Sequence, residues 1–195
     1  VGLVQIAHGM AEHAGRYGAF TEQLAQNGYL VYANDHRGHG KTAGSPDQVG
    51  FFAEDNGWLR VVEDLKEMTA MIRDAHPGLP VFMLGHSMGS FLLRTFMFLY
   101  GDQINGAIIS GTAGSPGVLG DIGKMVANLE IKRKGLRGQS PLLHQLSFAG
   151  FNSAFKPVRT DFDWLSRDHA EVDKYIEDPF CGNVFTAGFY RDLFW

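Results

Sequence analysis

The chain has a single cysteine, Cys181, among 195 residues. No internal disulfide can staple it, and the implied setting is a reducing, cytosolic one. It also lacks any apolar run of about 18 residues, so no segment reads as a membrane span. Charge is scarce: Asp, Glu, Lys and Arg make up 19%. Together with 45% hydrophobic residues this excludes a disordered chain. The formal net charge is −4, so there is no basic excess and no nucleic-acid partner is expected. His and Asp show no metal-ligand spacing, and neither a metal nor an organic cofactor is expected. An initiating Met is also absent. The chain opens at Val1 inside an apolar run, so the natural start is expected upstream, and a signal peptide there stays open.

What is present suffices for a full-size core. Phe occurs 15 times, often after residue 145, which points to an apolar binding surface there. Residues 3–7, 29–33, 81–84 and 104–110 read as short buried strands. Residues 11–27, 56–76 and 88–100 between them read as helices, with Gly28 and Pro77-Gly78 as stops. This alternation predicts an α/β fold with a mostly parallel sheet covered by helices on both faces. It ends near Gly111. Beyond it, helices are predicted at 121–134, 140–149 and 167–177 and no clear strand. The chain therefore divides into a partial α/β core, 1–111, and a helical cap or lid, 112–195.

Gly85-His86-Ser87-Met88-Gly89 fits Gly-x-Ser-x-Gly. About 0.15 chance matches are expected at this composition, so context decides. The motif lies between a predicted strand and a predicted helix, as the nucleophile elbow of an α/β-hydrolase requires. Side chains at the two Gly positions would collide with neighbouring backbone. The sharp turn lifts the Ser87 hydroxyl out of the sheet, and the following helix aims its free N–H groups at developing negative charge. His8-Gly9-Met10 follows the first strand. In this fold such a loop donates one backbone N–H to the oxyanion hole and the residue after the nucleophile donates another, which selects Met10 and Met88. His8 precedes Ser87, against the chain order Ser, acid, His, and is read as a non-catalytic residue.

The segment His8-Gly9-Met10-Ala11-Glu12-His13-Ala14-Gly15-Arg16-Tyr17 resembles the oxyanion-loop signature of monoacylglycerol lipases. Asn34-Asp35-His36-Arg37-Gly38-His39-Gly40 and the elbow itself resemble further motifs of that group. So do Trp164-Leu165-Ser166-Arg167-Asp168 and Asp178-Pro179-Phe180-Cys181. The group is the lysophospholipase and monoacylglycerol lipase-like branch of α/β-hydrolases, also classed with S33-type serine aminopeptidases. The resemblance implies hydrolysis of a single fatty-acyl ester, a small-molecule acyl ester as substrate, and a cap that holds the acyl chain. It implies that Glu12 and Arg16 shape the polar end of the site, with a plain loop salt bridge as the other reading. Asp35, Arg37 and His39 are read as loop-fixing hydrogen bonders.

The resemblance also places a catalytic Asp and His after the cap, and first strands before Val1. The chain therefore reads as a fragment missing N- and C-terminal parts. Asp161, Asp163, Asp168, Asp173, His144 and His169 are read as surface or cap-packing residues. Pro141 to Phe148, with Phe151 and Phe155, is either an acyl-chain wall and lipid-facing lid or ordinary packing. Lys132, Arg133, Lys134 and Arg137 offer peripheral membrane contact or form a solvated face. Two other functions stay open: a serine aminopeptidase-type peptidase, marked by an acidic pocket, and an inactive binding module without a triad.

Overall fold

The structure is a computed structural model and describes residues 1–194. Four parallel strands form one sheet: β1 (Gly2–Ala7), β2 (Tyr29–Ala33), β3 (Val81–His86) and β4 (Gly106–Ser110), in the order β2-β1-β3-β4. Every residue of β1 is buried, because it is central and covered on both faces. Alternate side chains go opposite ways, as the pleat dictates. Val4 and Ile6 pack with Leu24 of α1 (Gly18–Gln26). Leu3 and Ala7 face α2 (Gly57–Ala75) and α3 (Met88–Tyr100). Gln5 shares that second face, and its polar burial is matched. Its amide donates to the Leu65 carbonyl at 2.9 Å and accepts from Thr69 Oγ1 at 2.7 Å. The outer strands are more open: Ile108 and Ile109 of β4 are 51% and 41% exposed.

The expected helix 11–27 starts late. Ala11 takes φ 58°, outside helical space, and Ala14–Tyr17 form only a short 3₁₀ turn before α1. One reason is tertiary: the Ala11 carbonyl and the His13 ring are committed to distant partners, described below. Gly28 ends the helix at φ 84°, as a left-handed stop does.

Residues 112–194 hold α4 (Val118–Lys134), α5 (Pro141–Phe148), α6 (His169–Glu177) and α7 (Ala187–Leu193). Their strand-like pairing is one isolated bridge, Gln139 with Thr186. Helix α7 escaped the sequence reading because it is short and buried on most sides, leaving no amphipathic period. Its one signal was Thr186, whose hydroxyl accepts from Phe189 N–H at 3.1 Å as an N-cap. One hydrophobic cluster crosses residue 111. Phe185, Phe189 and Tyr190 pack with Phe52, Trp58, Val62 and Leu93. Each such burial stabilises by about 2–3 kcal/mol, so the helical segment is tied to the sheet through a common core.

Candidate active site

β3 ends at His86 and α3 begins at Met88, so Ser87 alone turns the chain. It adopts φ 52°, ψ −119°, at a cost of about 1–3 kcal/mol. The surroundings hold it there. Ser87 N–H donates to the Ser110 carbonyl at 2.9 Å, and the Ser87 carbonyl accepts from Ser90 N–H at 2.9 Å and Ser90 Oγ at 2.5 Å. A Cβ on Gly85 would lie 2.4 Å from the Gly89 carbonyl oxygen, and one on Gly89 would lie 2.0 Å from that of Ala7. The two glycines therefore let α3 press onto the end of β1, which brings the elbow beside the loop that follows β1.

That loop touches Ser87: a Cβ on Gly9 would sit 3.3 Å from the Ser87 Cβ. Among the described residues no acceptor meets the N–H of Met10 or of Met88. Glu12, although buried, is well partnered. Its carboxylate accepts from Gly9 N–H (2.6 Å), Arg16 Nη1 (2.5 Å) and Tyr17 OH (2.8 Å). The Tyr17 phenol is pushed far above its ordinary pKa by burial and by this carboxylate, so it stays a donor. The Ala11 carbonyl accepts from Tyr175 OH at 2.8 Å and Gly182 N–H at 3.0 Å, both from residues beyond 112.

A cavity of about 270 Å³ opens over these groups. Ser87 and His86 line it together with Gly9, Met10 and Arg16 of the loop, Tyr175 packed against that loop, and Trp164 and Leu165. Four of the five site residues expected from the sequence, Ser87, Met10, Glu12 and Arg16, line it. Met88 is not among the lining residues, and its side chain is buried in the core. The aromatic wall was not anticipated as part of the site. Trp164-Leu165 was visible as a motif but not as a cavity wall, and Tyr175 carries no local signal. A second cavity, about 400 Å³, lies beneath α5 and shares Trp164 and Tyr175 with the first. Phe148, Ala149 and Phe162 make much of its lining apolar.

No described residue hydrogen-bonds the Ser87 hydroxyl. His8 is unsuited to act as its base. It is fully buried, its Nδ1–H donates to the Gly9 carbonyl at 2.8 Å, and its Nε2 accepts from His36 N–H at 3.0 Å. Burial lowers its pKa to about 4. Three of the acidic candidates beyond residue 111 are held by other partners. Asp163 accepts from Thr160 and Arg159, Asp168 caps α6, and Asp173 pairs with Arg159. His144 lines the second cavity. The loop-fixing residues behave as read. Asp35 accepts from Ala14 N–H at 2.9 Å and Lys41 N–H at 2.8 Å, Arg37 grips Asp64 with two bonds, and His39 Nδ1–H donates to the Arg37 carbonyl. Of the basic cluster, Arg133 and Lys134 pair with Glu130, and Arg137 pairs with Glu54.

His13, Asp178 and Cys181 bring potential ligand atoms within 4.8 Å of one another. Their hydrogen bonds do not suit a metal. Gly15 N–H donates to His13 Nδ1 (3.2 Å), which leaves the proton on Nε2, and Asp178 accepts it at 2.8 Å. The Cys181 thiol is pushed up to about 12 by burial, then by the Asp178 carboxylate, so it is no ready thiolate.

A parallel β2-β1-β3-β4 sheet, a strained serine between strand and helix, and unbonded amides beside it define the α/β-hydrolase class. The sequence profile of the serine aminopeptidase S33 family of hydrolases matches residues 1–194, and the chain belongs to that family. It is 35% identical over 195 residues to a monoacylglycerol lipase of Mycolicibacterium smegmatis, covering 98% of this chain and 61% of that one. It is 32% identical over 177 residues to human monoglyceride lipase, covering 91% and 51%. Its fold matches the crystal structure of a thermostable carboxyl esterase from Bacillus coagulans in complex with glycerol. There the TM-score is 0.87 at 27% identity, over 99% of this chain and 63% of that one. The chain thus spans between half and two thirds of these relatives, which are carboxylic ester hydrolases.

Proposed function

We propose that the protein carrying this chain hydrolyses fatty-acid esters of the monoacylglycerol or lysophospholipid type through an acyl-enzyme on Ser87. The observation that carries the reading is the strained Ser87 lining a cavity, flanked by the unbonded amides of Met10 and Met88. In the proposed reaction Ser87 Oγ attacks the ester carbonyl and the two amides hold the oxyanion. We assign the general base and its carboxylate to sequence outside residues 1–195. The polar wall, Arg16 with Glu12 behind it, takes the head group. Arg16 spends only Nη1 on Glu12 and lies 4.8 Å over the Tyr175 ring, so its other donors are open to hydroxyl or phosphate oxygens. The apolar cavity beneath α5 takes the acyl chain, with α4–α7 acting as cap.

The aminopeptidase alternative needs a free carboxylate for a substrate amino group. Glu12 is the acidic residue lining the Ser87 cavity, and its oxygens are taken by three donors. That supports the ester reading. The inactive-module alternative is tested directly: a fluorophosphonate probe on the full-length protein labels Ser87, and Ser87→Ala abolishes both label and ester turnover. Absence of label on the folded wild type would sink the reading.

Contact with a lipid surface is proposed for the cap. Val118, Ile122, Met125 and Leu129 lie on one face of α4 and are all exposed. No helix among the described residues is long and apolar enough to cross a membrane, so this contact is peripheral. The largely paired basic cluster contributes little to it. Met125→Glu therefore weakens co-sedimentation with phosphatidylcholine vesicles and leaves turnover of a short soluble ester unchanged. Equal sedimentation of both proteins removes α4 from the contact.

A further inference from the structure

We infer that Glu12 and Tyr175 are positioning residues that set the oxyanion loop from its two sides, and that Glu12 reaches the substrate only through the backbone of Gly9 and Met10. This rests on the esterase reading of Ser87 and adds a division of labour within the site.

The geometry is a clamp around Met10. On one side Gly9 N–H is bound by Glu12 Oε1 at 2.6 Å. On the other the Ala11 carbonyl is bound by Tyr175 OH at 2.8 Å and Gly182 N–H at 3.0 Å. With both neighbours fixed, the Met10 peptide has little freedom to rotate, and its N–H is the amide left without an acceptor. Ala11 is held at φ 58°, a conformation unfavourable for alanine that the loop would leave if released. Glu12 is itself immobilised by Arg16 and Tyr17. Its carboxylate therefore has a fixed direction, with each oxygen already bonded to at least one donor of the loop. An oxyanion hole works because its donors are already oriented when charge develops, so a loop that must reorganise loses transition-state stabilisation without losing substrate affinity. Tyr175 comes from α6, so this clamp also makes the cap segment part of the chemistry rather than only its cover.

The test uses the full-length protein and two substrates, 1-monobutyrin, which has a glycerol head group, and p-nitrophenyl butyrate, which has none. Glu12→Ala lowers kcat about 100-fold on both with KM nearly unchanged, as expected for a misaligned oxyanion donor. Glu12→Gln keeps an acceptor for Gly9 N–H and recovers at least 10-fold of that loss. Tyr175→Phe, which removes one hydroxyl and leaves the ring, lowers kcat several-fold on both. A higher KM confined to 1-monobutyrin would show Glu12 to be a direct head-group ligand and overturn the inference, as would unchanged kcat on p-nitrophenyl butyrate. Amide hydrogen exchange over residues 9–12 reads the clamp independently of turnover. It accelerates in Glu12→Ala and Tyr175→Phe, and equal exchange in wild type and variants overturns the clamp. Should the wild type neither hydrolyse esters nor take the fluorophosphonate, the functional reading fails, and exchange still decides on the clamp.

Discussion

The two walls of the Ser87 cavity are held by different means. The loop wall, residues 8–17, is fixed by partners far away in sequence. His8 meets His36, Ala14 meets Asp35, Ala11 meets Tyr175 and His13 meets Asp178. The opposite wall, Trp164-Leu165, is held by neighbours. Trp164 N–H donates to Asn152 Oδ1 at 3.0 Å, Leu165 N–H to the Phe162 carbonyl at 3.0 Å, and the indole packs on Phe148 and Phe151. Long-range ties make the first wall part of the folded core, which suits groups that must be oriented before substrate arrives. Short-range ties let the second wall change without unfolding the first, which suits the acyl-chain surface proposed above.

The hardest blow to this contrast falls on the rigid wall. Gly89→Ala drives a Cβ into the Ala7 carbonyl at the base of the loop and is expected to destabilise by about 3 kcal/mol or more. Chemical denaturation measures it, and a loss below 1 kcal/mol means that the elbow and loop are not tightly coupled. Acid attacks the same wall almost as strongly. His8, His36 and His39 form a buried stack with ring centroids 4.0–6.2 Å apart. Burial depresses His8 to about 4 and His39 to about 3, with His36 well below its ordinary value. These imidazoles are neutral in the folded protein but protonate below about 6.5 when unfolded. Their contribution is therefore complete above pH 6.5 and is lost as pH falls toward 4, by about 3 kcal/mol for His8 alone. Denaturation midpoints between pH 7 and pH 4 should show this fall, and His39→Gln should flatten it; an equally steep profile in that variant would count against the stack as its source.

On the second wall the effects are smaller and different in kind. Trp164→Ala joins the two cavities at the partition they share. It is expected to cost about 2 kcal/mol, roughly half the value for a fully buried Trp, and to shift p-nitrophenyl ester preference toward longer chains. An unchanged chain-length profile would show that the second cavity is not on the substrate path. The smallest effect is expected at Arg133→Ala. This side chain is 65% exposed in its pair with Glu130, and its loss should change stability by about 0.5 kcal/mol or less. A larger change would mean that the helical segment relies on surface pairs rather than on the core it shares through Phe185 and Phe189.

How much was legible follows the same division. The strands, α2, α3 and the elbow could be read because each rests on a local pattern: alternating or continuous apolar residues, stop signals, and two glycines around a serine. The loop at 8–17 was legible as a motif, yet its residues 11–17 were expected to be helical. The Ala11 carbonyl and the His13 ring are committed to residues as distant as Tyr175 and Asp178. Helix α7 was missed because its burial, not its periodicity, defines it.

By itself the sequence determined the serine elbow, the α/β alternation and the backbone positions proposed to hold an oxyanion, because these depend on residue type and spacing over a few positions. Only the tertiary structure decided that the Ala11 carbonyl meets Tyr175, that His8 is locked and neutral, and that Trp164 and Tyr175 close the cavity. Those outcomes depend on which distant donor reaches which acceptor once the helical segment packs on the sheet, and no local pattern encodes that pairing.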